Sequence, residues 1–179
     1  MPNKFIGHRP EKKEYFEFYD RYVKLVPEGD IVAILREQLQ TTLELLRGVP
    51  QEKVDHRYAP GKWTLKEVVG HVIDMEWVFS YRALSFARCK TPPLPGVDQE
   101  EFMSGANFSA RAMSDLMQEL QHLRSANILL FDSFDETILD RTGIASDCRF
   151  TVRSIAYIIA GHEKHHMEVL SEKYLSGGV

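Results

Sequence analysis

Only two of the 179 residues are cysteine, Cys89 and Cys148, and neither belongs to a CxxC or similar pairing. That excludes a disulfide framework, and free thiols in a reducing compartment are the simplest expectation. No apolar run reaches the roughly 18 residues of a membrane-crossing helix. The first twenty residues, MPNKFIGHRPEKKEYFEFYD, also lack the apolar core of about 7 to 15 residues that marks a signal peptide. A cytoplasmic protein with no membrane partner is expected. Charge of one sign is scarce as well: the net value of -4 is small and evenly spread, which argues against nucleic acid as a partner. There is no internal repeat and no low-complexity segment. With 44% apolar and 27% charged residues, the chain reads as one globular domain spanning 1–179.

Strand-like alternation is also nearly missing, whereas helical periodicity is plentiful. DIVAILREQLQTTLELLRG starts at a capping residue, Asp30, repeats Ile31, Ile34, Leu35, Leu39, Leu43 and Leu46, and stops at Gly48. A second helix opens with Thr64 and, three positions on, Glu67, a capping box, and runs to the Pro-rich TPPLPG. The third is expected from Ser109 to Phe134, with Leu116, Leu120, Leu123 and Ile128 on its apolar face. A polar link, DETILDRTGIASDCRF, leads to the fourth near Thr151. Four long helices joined by long connections predict an all-α four-helix bundle. Residues 1–26 read as an arm or short helix packed on it. The segment CKTPPLPGVDQEEFMSGANF is long enough to roof one end of the bundle.

The fourth helix, TVRSIAYIIAGHEKHHMEVLSEKYL, places His162 and His166 four residues apart on the face that carries Ile155, Ile158 and Ile159. Burying imidazoles there is costly unless each polar nitrogen finds a partner, and a shared divalent metal ion satisfies both. HEKHH also matches HExxH literally, the zinc-protease helix, which would make Glu163 the general base. The downstream third ligand of that motif is absent, so a third ligand must come from elsewhere. His71 in the second helix likewise interrupts an apolar stripe, formed by Val68, Met75 and Val78. Taken singly, each of these histidines also reads as a hydrogen-bonded core residue. His165 fits a flanking position. His8, His56 and His122 read as surface residues.

The stretches RYAPGKWTLKEVVGHVIDMEWVFSYRALSFAR and SIAYIIAGHEKHHMEVL resemble the DinB/YfiT-like superfamily over about residues 22–174. That resemblance implies a bundle of up-down-down-up connectivity, often a homodimer, with nickel or zinc held by His71, His162 and His166. It further implies transfer of a low-molecular-weight thiol of the bacillithiol or mycothiol type, in detoxification or stress response. In that scheme a metal-activated thiolate attacks an electrophilic small molecule. The alternatives are a hydrolase using metal-bound hydroxide and a bundle that the ion merely stabilises.

Three further residues are candidates for the chemistry. Asp74, three positions after His71, reads either as an acceptor for a ligand imidazole or as an exposed helical carboxylate. Arg82, three turns from His71, reads as a binder of a cosubstrate carboxylate or as part of a salt bridge capping the bundle. Glu163 or Asp74 would move protons in the hydrolase scheme. Trp63 is expected to pack as the hydrophobic staple of the second helix, with Arg57, Tyr58 and Lys62 framing the preceding PG turn.

Overall fold

The computed structural model of the chain describes residues 8–90 and 92–176. Two short 3-10 turns lead into α1 (Asp20–Val23), followed by α2 (Ile31–Arg47) and α3 (Leu65–Arg88). Next come α4 (Gln99–Gly105), α5 (Met113–Asp132), α6 (Glu136–Leu139), strands β1 (Thr142–Ala145) and β2 (Cys148–Thr151), and α7 (Val152–Val169). The long helices α2, α3, α5 and α7 form a four-helix bundle, as the periodicity predicts. No helix among the described residues is long and apolar enough to cross a membrane.

Each boundary follows from local chemistry. The Asp30 carboxylate accepts from the backbone N–H groups of Val32 and Ala33, which would otherwise lack partners at the start of α2. Thr64 and Glu67 form the expected reciprocal box at α3. Thr151 and Ser154 form another at α7, one the sequence reading did not single out. Direction is legible from cross-helix contacts. Lys66 Nζ donates to the Ser109 carbonyl just ahead of α5, while Glu76 meets Arg124 and Asn127 further along. Position numbers therefore rise together along α3 and α5, so the two helices run the same way, the middle step of an up-down-down-up bundle.

The core has two apolar clusters with a polar layer between them. One cluster contains Leu35, Phe79, Ile128 and Ala160, and the other Leu46, Val72, Leu123 and Met167. Every long helix thus contributes to both. Near the crossover of three of them lie His71 and Glu76 of α3, Arg124 and Asn127 of α5, and His162 and Glu163 of α7, all at most 5% exposed. Polar groups at that depth require partners.

The structure departs from the sequence expectations in three places. The link before the fourth helix contains α6 and an antiparallel hairpin in which Ala145 pairs with Cys148. Its two-residue turn is Ser146-Asp147, both at positive φ (51° and 58°). That is the twist a tight hairpin needs, although neither residue is glycine. α5 begins at Met113, not Ser109, because Phe108–Ala110 forms a separate 3-10 turn. The long connection after α3 contains a helix that its sequence did not announce, α4, capped by Asp98.

The N-terminal arm is tied down by charge. Arg153 of α7, 2% exposed, contacts Glu14 at 3.1 Å, Glu136 at 3.0 Å and Asp140 at 2.6 Å. Residues 1–7 of the expected arm lie outside the described residues.

Candidate metal centre

α3 and α7 bring His71, His162 and His166 to one point. His162 Nε2 lies 3.1 Å from His71 Nε2 and 3.2 Å from His166 Nε2. One ligand atom from each ring falls within 4.8 Å of the others. A neutral imidazole carries a single N–H, so His162 cannot donate to both neighbours from one nitrogen. Three mutually facing nitrogens are better satisfied by a cation. Tetrahedral bonds of about 2.0–2.1 Å place ligand nitrogens roughly 3.3 Å apart, close to the two separations found. The donor set therefore fits a transition-metal ion.

The electrostatics agree with that fit. Burial pushes the His71 pKa down to about 4. His166 falls to about 3 through burial and the neighbouring histidines, and His162 lies well below its ordinary value for the same reasons. All three are neutral at pH 7, which is the form that coordinates metal.

Close packing holds this point in place. The carbonyl of Tyr22, in α1, abuts Gly161, where any side-chain carbon would overlap it. Glycine immediately before His162 thus lets α1 press onto α7, and the Tyr22 ring stands edge-on to the His162 ring at 5.3 Å. On the opposite side the Trp63 ring lies 4.9 Å from that of His71.

A cavity of about 330 Å³ opens beside His166, and its wall includes Tyr58, Lys62, Trp63, His165 and Tyr174. Gln99 and Glu100 of α4, within the long connection, also line it. Tyr174 donates from its hydroxyl to the Trp63 carbonyl at 2.7 Å and meets Tyr58 edge-on at 5.0 Å. It sits in a π-helical segment, Leu170–Leu175, that continues α7. The sequence reading missed Tyr174, since a π-helical turn leaves no mark in a 3.6-residue pattern. Trp63 packs against the apolar cluster that contains Val68, and both residues line the cavity. Tyr58 and Lys62, expected only to frame the PG turn, line the cavity as well.

The remaining candidates are not gathered at the histidines. Glu163 is 1% exposed, and its Oε2 lies 2.6 Å from Arg124 Nη1. That contact is off the hydrogen-bonding direction and therefore ionic, and Glu163 has no aligned donor among the described residues. Asp74 faces Glu119 and Arg111; burial first, then Glu119, raises its pKa to about 6, against the pull of Arg111. Arg82 is buried and donates to the Pro95 carbonyl at 3.2 Å and to Ser146 Oγ at 3.0 Å, which pins the hairpin to α3. His165 is half-buried in the cavity wall, whereas His8, His56 and His122 are exposed.

Comparison with known proteins adds two findings. Residues 34–170 match the family model described as the DinB superfamily. The fold is similar to that of YfiT from Bacillus subtilis, described as a probable metal-dependent hydrolase with an unusual four-helix bundle topology. The two are 18% identical, the match covers 94% of each chain, and the TM-score is 0.67. Among curated proteins no sequence match is found.

Proposed function

Because the chain belongs to the DinB superfamily, we propose that it is a metal-dependent enzyme transferring a low-molecular-weight thiol to an electrophilic small molecule. The observation that carries this reading is the convergence of three neutral imidazoles beside a small-molecule cavity. His71, His162 and His166 would hold nickel or zinc through their Nε2 atoms. A divalent ion on three uncharged ligands keeps its full double charge and makes a thiol or water in its open position a nucleophile near neutral pH. His166, half-buried, is the ligand that borders the cavity, so substrate approaches from its side. Trp63, Tyr58 and Tyr174 supply a rigid aromatic wall for that substrate, and a volume of about 330 Å³ suits a small molecule.

The choice of thiol over water rests on where the carboxylates point. Metal-bound water ionises near neutral pH unaided, but hydrolysis also draws on a group that carries a proton to the leaving group, and the two carboxylates the sequence offers for that, Glu163 and Asp74, face Arg124 and Glu119 instead. A thiol, with an ordinary pKa of about 8.5, ionises on binding a cation without such help. Hydrolysis is the second reading, favoured by the description of YfiT.

One assay separates the two. Protein reconstituted with nickel or zinc is expected to conjugate an activated aryl halide with bacillithiol, mycothiol or a similar thiol, and to stop on chelation. Turnover of an activated ester or amide in water alone, with no thiol dependence, would transfer the assignment to hydrolysis. Failure of both would remove the enzymatic reading.

The same proposal includes a homodimer in the cytoplasm, each chain acting as one domain. Trp77, Tyr81 and Leu84 lie on one face of α3 and are 54%, 60% and 39% exposed, an apolar stripe that a second copy would cover. Light scattering coupled to size exclusion is expected to give twice the chain mass of 20.6 kDa. Tyr81→Glu is expected to halve it, and a wild-type protein of single-chain mass would overturn the dimer.

A further inference from the structure

Arg124 is 0% exposed and belongs to α5, a helix that supplies none of the three histidines. Its guanidinium reaches both helices that do. Nε and Nη2 donate to the two oxygens of Glu76 on α3 at 2.7 and 2.8 Å, a two-pronged contact, and Nη1 meets Glu163 on α7 at 2.6 Å. Asn127 donates to Glu76 from the same side at 2.9 Å. Glu163 directly follows His162, and Glu76 comes five residues after His71, about 7.5 Å along the helix. We propose that Arg124 is a positioning residue: it sets the separation and rotation of α3 and α7 so that His71 meets His162 and His166.

The energetics point away from a role in stability. A buried ion cluster is often no better for stability than apolar side chains of similar volume, because desolvation cancels the attraction. Here two carboxylates share one guanidinium in the core. What such a cluster supplies is register. Apolar contacts in the two flanking clusters tolerate sliding, whereas the two-pronged contact fixes the guanidinium against Glu76 on α3, and the ion pair at 2.6 Å draws Glu163 on α7 to that same fixed group. The cluster lies where the apolar core is interrupted, at the level of the histidines, where a slip of about one ångström would matter most.

This inference rests on the metal-binding reading, and its test separates the two. Cobalt(II) is used as the probe, with affinity from chelator competition, coordination from the visible spectrum, and the melting temperature of the metal-free protein as the measure of fold. Glu76→Gln/Arg124→Met/Glu163→Gln removes all three charges together, so no lone buried charge remains. It is expected to melt within a few degrees of wild type, to bind cobalt roughly 10- to 100-fold more weakly, and to show an altered spectrum. Should that variant fail to fold, Glu163→Met leaves a balanced Arg124–Glu76 pair and frees only α7; a roughly tenfold weaker affinity with a changed spectrum is expected. Wild-type affinity and spectrum in either folded variant would overturn the positioning role while leaving the metal site intact. A wild-type protein that takes up no cobalt would overturn both.

Discussion

His162→Ala is expected to weaken nickel or zinc binding by at least about a hundredfold and to abolish any thiol conjugation. The size follows from the geometry. His162 Nε2 is the atom that both other rings approach, at 3.1 and 3.2 Å, so its loss leaves two imidazoles with no common third donor. Structural zinc sites are worth roughly 10–16 kcal/mol in all, so one ligand in three or four carries several. His165→Ala tests the specificity of this effect, because His165 directly precedes the ligand His166 in sequence and lines the cavity without sharing the point of convergence. It is expected to retain the metal. Isothermal titration of both variants decides the matter, and equal affinities in the two would contradict the assignment.

Removal of metal followed by acid is expected to unfold the protein well above the pH at which carboxylates titrate. In the folded chain burial holds His71 at about 4 and His166 at about 3, with His162 also well below its ordinary value. In the unfolded chain all three take up protons near 6.5. Between about 6.5 and 4 the unfolded state therefore binds more protons, and stability must fall as pH falls. With three groups the slope reaches at most about 4 kcal/mol per pH unit, enough to exhaust the 5–15 kcal/mol of a typical domain within a few units. Urea unfolding of chelated protein from pH 7.5 to 4.5 measures it. His71→Leu/His166→Leu is expected to flatten the curve, since it removes two of the three groups. A metal-free wild type equally stable at pH 7 and pH 5 would show that these rings are not held neutral in the core.

Much of the fold can be read from the chain because its signals are local. Asp30 and the Thr64–Glu67 pair announce where α2 and α3 begin, and their apolar periodicity fixes the faces that turn inward. His71, His162 and His166 stand out for a related reason: each breaks an apolar stripe, a local conflict that only a distant partner resolves. The hairpin before α7 is illegible by the same logic. Its turn uses Ser146 and Asp147 where the common tight turns use glycine or asparagine, and its strands are only four residues each.

The parts of the site that are not legible depend on non-local geometry. Asp74 and Arg82 sit at helical spacings compatible with roles beside His71, yet α5 and the hairpin supply other partners for them. Glu163 matches the base of the HExxH helix by position alone. Its surroundings are decided by Arg124, thirty-nine residues earlier in the chain, and nothing near Glu163 in sequence announces that arginine. Tyr174 reaches the cavity through a π-helical turn, and Trp63 reaches it because α3 and α7 bring the His71 ring beneath it.

Metal content per chain, determined by elemental analysis of wild type and His162→Ala purified side by side, tests the central claim most directly. The expected result is close to one nickel or zinc per wild-type chain and close to none in the variant. A wild type with no transition metal, or a variant carrying as much as the wild type, would contradict it.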